Sequence, residues 1–141
     1  EDPRRQRQMC IRDSLLAHRD EQYLYGNRDA QFLLGKLFEE GNESLAQDLD
    51  LAVNWYEDAA VRGDGASAAR LAVLLGLQGK PRTDPVMAFA WARVAHHTQR
   101  VSDAEQILAS IKRSLPANLL GQAETASEEL LRLVEYNQTN L

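Results

Sequence analysis

The chain is 141 residues long and carries 21 acidic against 16 basic side chains, a net charge of -5, with a single cysteine. That length is one domain's worth. The acidic balance argues against a nucleic-acid surface, which needs a basic stripe, no apolar run approaches the ~20 residues of a membrane span, and one cysteine excludes an intrachain disulfide.

Residues 1–8, polar and arginine-rich around Pro3, read as a flexible lead-in. The sequence starts on Glu1 rather than Met, as a processed or excised chain would, so an export signal would already be gone. Met9 to Tyr25 spaces Ile11, Leu15, Leu16, Tyr23 and Leu24 helically over a thin face, a capping helix over 9–25 with Gly26-Asn27 as its stop. Cys10 belongs to it as a small apolar residue. Arg28 to Glu40 puts Ala30, Leu33, Leu34, Leu37 and Phe38 on one helical face. Gly35 on the flank of that face lets a neighbouring helix approach, and Gly41 ends the helix. After a loop over 42–47, Asp48 or Asp50 caps a second helix whose buried face is Leu51, Ala52, Trp55, Tyr56, Ala59 and Ala60, with Gly63 as its stop.

Ala66 to Leu77 is the next helix, with Ala68, Leu71, Ala72 and Leu75 inward, and Gly79 matches Gly41. Asp84-Pro85 is a strong start signal, a cap followed by proline at the first helical position, for a helix running to His97 or Thr98. Ser102-Asp-Ala-Glu105 reads as a capping box before a helix facing inward through Ala104, Ile107, Leu108 and Ile111. Ser114-Leu115-Pro116 restarts the chain. Leu119, Leu120, Ala123, Ala126, Leu130, Leu131 and Val134 then make a long closing helix, with 137–141 as a polar tail. No segment alternates as a strand.

Two of these helices are copies. Asp48, Ala52, Trp55 and Ala59 recur as Asp84, Ala88, Trp91 and Ala95, and such internal periodicity marks a repeat architecture. The identical phase of Trp55 and Trp91 assigns them to packing between helices rather than to ligand stacking. The set Ala30…Leu34-Gly35…Phe38…Gly41, then Asp48…Ala52…Trp55-Tyr56…Ala59-Ala60…Gly63, resembles the Sel-one-like repeat, a relative of the tetratricopeptide repeat. The match is dense over 26–63, good over 64–98 and weak over 99–136. Departures are Val73 for the family glycine, Gly76 for its aromatic and Ala92 for the tyrosine after Trp91.

The resemblance implies an all-α, right-handed solenoid of antiparallel helix pairs, with six to seven helices. A single repeat domain would span 9–136, made of a cap at 9–25, repeats at 28–63 and 64–98, and a degenerate repeat with a closing helix at 102–136. Its closing segment looks like that of bacterial members, which implies a bacterial source and a periplasmic location, with the cytoplasm as the alternative.

Candidate chemistry is sparse. His96 and His97 are adjacent, so on a helix they point about 100° apart and cannot grip one metal together; His18 is remote in sequence. Asp48 with Asp50, and Asp103 with Glu105, are explained by helix caps. No phosphate-binding or nucleophile motif is present. The expectation is a protein with no enzymatic activity, catalytic residue, cofactor or metal. The competing reading is a small hydrolase using His96, Asp103 and Glu105.

In helix-pair repeats the first helices line the concave side. Their faces away from the core are Phe32, Lys36 and Glu39 in the first, Arg70, Leu74 and Leu77 in the second, and Gln106, Ser110 and Arg113 in the third. Three sizeable apolar side chains in that stripe suggest a docking surface. The expected role is an adaptor or scaffold that binds a protein or peptide through this stripe, with neither nucleic acid nor a membrane-spanning segment of its own, in a cell-envelope complex. An inhibitor or regulator of an enzyme or toxin is the alternative.

Overall fold

The computed structural model describes residues 27–76, 83–98 and 102–140. The expected helix at 9–25, with Cys10 and His18, and the positions Leu77 and Gly79 lie outside the described residues. Six α-helices are described: α1 (Arg28–Glu40), α2 (Leu49–Val61), α3 (Gly65–Gly76), α4 (Pro85–Thr98), α5 (Ala104–Ser114) and α6 (Leu120–Asn140), with a 3-10 turn η1 (Ala117–Leu119) before the last. The described chain contains no strand, and it folds as an α-solenoid.

Local chemistry sets the boundaries. Asn27 caps α1, its Oδ1 accepting from the backbone N–H groups of Asp29 and Ala30 at 3.1 Å each. Asp48 caps α2 through Leu51 N at 3.1 Å, and Asp84 caps α4 through Met87 N at 3.1 Å. Asp64 caps α3 through Ser67 N at 2.9 Å. Each such acceptor satisfies an open first-turn donor and contributes about 1 kcal/mol. The backbone N–H of Asp48 also donates to Phe38 O, and that of Asp84 to Leu75 O, both at 2.8 Å. Each second helix is thus hooked at its start onto the end of the first helix before it. Gly41 ends α1 at φ +65° and ψ 179°, a region essentially reserved for glycine.

The first helices α1, α3 and α5 form one layer, neighbour touching neighbour; α2, α4 and α6 lie behind them, with α6 packed along α4 and reaching α2. Between the layers runs a continuous seam of aromatic and small side chains. Tyr56, Phe38, Leu71 and Val94 are buried, Trp55 and Trp91 close the gaps, and the repeat alanines Ala52, Ala59, Ala68, Ala88 and Ala95 are fully buried. Alanine there allows the helix axes to approach closely, while the rings fill the spaces between repeats.

Several expectations are corrected. Leu33 is not a core residue but 64 % exposed, and the buried arc of α1 is Gln31, Leu34, Gly35 and Phe38. The ring of Tyr56 lies directly on Gly35, which turns the Gln31–Gly35 edge inward and Leu33 outward. Leu74, expected on the solvent side, is buried at 8 % exposure because α3 is flanked on both sides. The capping box at Ser102 does not form. Asp103 takes the cap position without a side-chain cap bond, and Ser102 Oγ lies 3.4 Å from Asp103 Oδ1. The segment from Asn137 is no tail: α6 continues to Asn140, and Asn137 Nδ2 donates to Val61 O at 2.7 Å. Leu45, from the loop over 42–47, is buried; Asn42 Oδ1 folds the loop over it by accepting from Ser44 N and Leu45 N, both at 2.8 Å.

Candidate functional site: the first-helix layer

Along the first-helix layer the side chains expected in one stripe form two groups joined by Arg70. The first lies where α1 meets α3. Phe32 is half-buried, with its ring centroid 5.8 Å from that of Tyr56 and Lys36 Nζ 5.9 Å above its face. Lys36 also stands 4.0 Å from Glu40, one helical turn on. Glu39 accepts from the Tyr56 hydroxyl at 2.6 Å and from Arg70 Nε at 3.1 Å, and Arg70 Nη2 pairs with its second carboxylate oxygen. Two first helices and one second helix are thereby clasped through one carboxylate.

The electrostatics of the clasp follow from its geometry. Burial works to raise the Glu39 carboxyl, but the hydrogen bonds from Arg70 and Tyr56 and the charges of Arg70 and Lys36 outweigh it, so the group is held below its ordinary range. Burial first, and then the adjacent Glu39 carboxylate, push the Tyr56 phenol well above its ordinary range. The hydrogen bond to Glu39 raises Arg70 against its own desolvation. Glu39 and half of the Arg70 fork are therefore committed within the molecule.

The second group surrounds a groove of about 530 Å³ between α3 and α5. Arg70, Val73 and Gly76 line it from α3; Gln106, Ile107, Ser110, Ile111 and Ser114 line it from α5, with Asp103 at the start of that helix. Arg70, Gln106 and Ser110 of the expected stripe meet here. Leu74 turns into the core, and Arg113 is exposed outside the groove lining. The apolar floor of Val73, Gly76, Ile107 and Ile111 is absent from the expected stripe. The available signal was the pair of departures from the repeat pattern at Val73 and Gly76.

The two repeats differ beside this groove. At the position where α1 carries Phe38, 2 % exposed, α3 carries Gly76. The nearest atoms to a Cβ at Gly76 would be Ala88 Cβ and Ile111 Cγ1, both at 3.7 Å, and Ile111 Cδ1 at 3.9 Å. Ala88 and Ile111 thus pack at ordinary contact distance where that side chain would begin. A concave, partly apolar site with a few convergent polar groups, of roughly 300–1,000 Å³, is the usual form of a binding site.

The side chains of the hydrolase reading sit on helix ends. His96 is exposed in the last turn of α4, and Asp103 and Glu105 are exposed at the start of α5. His97 Nε2 lies 3.5 Å from Glu135 Oε1 of α6. Among the described residues no three His, Cys, Asp or Glu side chains gather where they could hold a metal ion, and no helix is long and apolar enough to cross a membrane.

A family model described as the Sel1 repeat matches residues 28–64 and 65–95. A 69-residue stretch is 35% identical to the chitin synthase regulator SKT5 of Saccharomyces cerevisiae, covering 48% of this chain and 10% of that protein. Among solved structures, c5321, a protective antigen present in uropathogenic Escherichia coli strains displaying an SLR fold, is similar at a TM-score of 0.69 and 24% identity. That similarity covers 82% of this chain and 26% of the other. The chain thus spans a tenth of its curated relative and about a quarter of its structural neighbour.

Proposed function

We propose that this chain, a Sel1-repeat protein through residues 28–95, is a non-catalytic docking module that receives a segment of a partner protein in the groove between α3 and α5. Sel1 repeats are generally protein–protein interaction modules, and the repeat fold is typically a scaffold rather than a reaction centre. The observation that carries the reading is the groove itself. It is a place on the described part of the first-helix layer where an apolar floor and polar hydrogen-bonding groups face one open volume. The clasp of Glu39, Tyr56 and Arg70 beside it ties α3, which forms one wall, to α1 and α2.

The name of the yeast relative, a regulator of chitin synthase, supports a second form of this reading, in which the docked partner is an enzyme held or restrained by the module. Both forms need the same groove.

Site-specific photo-crosslinking tests the proposal. A photoreactive side chain at Gln106 or Ser110, both exposed and in the groove lining, is expected to trap one discrete partner in the native host. The same group at Arg132, exposed on α6, is expected to trap none. Adducts from Arg132 with none from the groove positions would move the docking surface to the other layer and overturn the reading. Joint replacement of Phe32, Arg70 and Leu74 is a poor test, since Arg70 is part of the clasp and Leu74 of the core.

A further inference from the structure

The two charged side chains that line the α3–α5 groove, Arg70 and Asp103, stand in different states. Arg70 is already paired with the Glu39 carboxylate of α1. Asp103, at the start of α5, has no ion-pair partner among the described residues. Nor is its carboxylate spent on the helix. An Asp at a cap position ordinarily accepts from the open N–H groups of the first turn, and Asp48, Asp64 and Asp84 all do so. Asp103 makes no such bond, and its described contact is the exposed Ser102 hydroxyl at 3.4 Å. Of the four acids that open a described helix, the one that borders the groove is the one left uncommitted.

Charge narrows the class of occupant. With Arg70 offset by Glu39, the lining keeps one negative charge, in a chain whose net charge is -5. The basic residues of α5, Lys112 and Arg113, lie in its last turn. That is about 13 Å along the axis from Asp103, beyond the ~8 Å over which exposed charges act at physiological salt. One helical turn on from Asp103 comes Ile107, and two turns on Ile111, with Val73 across from them on α3. A carboxylate beside an apolar floor suits a side chain with an apolar stem and a cationic head. Lys and Arg are built that way, and they lay the stem on apolar surface while the head keeps polar partners. Gln106 and Ser110, exposed and in the same lining, offer acceptor oxygens for the N–H donors that one carboxylate leaves over.

We propose, resting on the docking reading above, that the groove takes a basic segment of the partner protein. The stem of one Lys or Arg side chain lies on Val73, Ile107 and Ile111, and its cationic head pairs with Asp103. Asp103 is then the specificity-determining residue of the groove. It selects for a cation, and an acidic segment would meet the same unpaired carboxylate and be repelled.

The test uses random peptides displayed on phage and selected on the whole chain. Affinities are read by fluorescence anisotropy, and the site by amide shifts in the 15N-labelled chain. Selected peptides are expected to share a Lys or Arg and to shift the backbone amides of Gln106, Ile107 and Ser110. Replacing that Lys by norleucine, or that Arg by citrulline, keeps the stem and removes the charge. Binding should weaken about fivefold at low salt, and the difference should shrink as salt is added. Asp103→Asn should weaken the basic peptide by the same factor and leave the uncharged one unchanged. The variant should fold, since Asn caps a helix as well as Asp does. Glu105→Gln removes a neighbouring exposed acid outside the groove lining and should have a smaller effect. Asp103→Lys should reverse the preference, in favour of a peptide with Glu in place of the basic residue. Peptides that shift groove amides but carry no basic residue, or that bind Asp103→Asn as tightly as the wild type, overturn the cation site and leave the docking groove standing. Selected peptides that shift no groove amide, or a library that yields no binder, overturn both.

Discussion

At the scale of the residue, the two repeats solve one packing problem in opposite ways. In the first, a Cβ at Gly35 would lie 2.5 Å from Tyr56 Cδ1 and 2.6 Å from Cε1. That ring cannot swing aside cheaply, because its hydroxyl is held by Glu39 and the residue is fully buried. In the second repeat the equivalent pair is Val73 and Ala92, the bulk having moved from one helix to the other. Alanine at 35 gains up to about 1 kcal/mol of helix propensity, but overpacking costs about 1–3 kcal/mol, so Gly35→Ala should be destabilising in urea unfolding. A double-mutant cycle sharpens the point. Gly35→Val should cost more in the presence of Tyr56 than in a Tyr56→Ala background, with a coupling energy of roughly 0.5–3 kcal/mol. Additive costs would show that the ring and the glycine do not share the space.

At the scale of the element, the clasp between α1 and α3 makes stability depend on pH at both ends of the range. Glu39 has its folded value below its ordinary 4.5, so its stabilisation is present above pH ~4.5 and is lost as the pH falls through the lowered folded value. Tyr56 is raised above its ordinary 10.0, so its stabilisation is present below pH ~10 and is lost as the pH climbs further. Asp58 has the opposite sign to Glu39, since burial raises its carboxyl against the lowering effect of Arg62. The comparison must therefore be made with Glu39→Gln rather than with the wild-type curve alone. Between pH 3 and 5 the wild-type denaturation midpoint should fall more steeply on acidification than that of the variant, by the part that belongs to the clasp. Parallel curves would remove Glu39 from the account.

The elements also show what sequence could and could not supply. The caps Asp48 and Asp84, the stop at Gly41 and the phase of Trp55 and Trp91 were legible because each depends on local chemistry or on the repeat. The rotation of α1 was not. An apolar stripe fixes a face only to within an arc, and the contact of Gly35 with Tyr56 selects the part of that arc that is buried, leaving Leu33 outside. Glu39 and Arg70 looked like free surface charges because their pairing spans 31 residues of sequence. The capping box failed by one position: α5 starts at Ala104, so Glu105 falls at the second helical residue and not the third. The groove was half legible. Arg70, Gln106 and Ser110 came from phase alone, while Ile107 and Ile111 of its floor read as inward-facing core residues and Val73 and Gly76 only as departures from the pattern.

At the scale of the whole molecule, the closing helix ties the array together from behind. α6 packs along α4, where Arg93 Nη1 donates to Ser127 Oγ at 2.9 Å, and its last turns then reach the end of α2. There Asn137 Nδ2 donates to Val61 O at 2.7 Å, and the Gln138 side chain lies against Gly63. The open carbonyl end of α2 is thus satisfied by a residue 76 positions away, which couples the first repeat to the C-terminal end of the described chain. On this stretch Val134 is buried in the core while Leu133 and Tyr136 are 44% and 64% exposed, so Asn137 adds a polar contact to a narrow apolar one. A polar contact of this kind contributes about 0.5–1.5 kcal/mol net. Asn137→Ala should therefore lower global stability by about that much and, in hydrogen exchange, loosen the last turn of α2 together with the last turns of α6. Thr139→Ala is the matched control, because its hydroxyl donates only to Glu135 O within α6, at 3.0 Å. It should fray α6 and leave α2 protected. If the two variants gave the same exchange pattern, the end of α6 would be a helix terminus lying near α2 rather than the strap that holds the repeats in register.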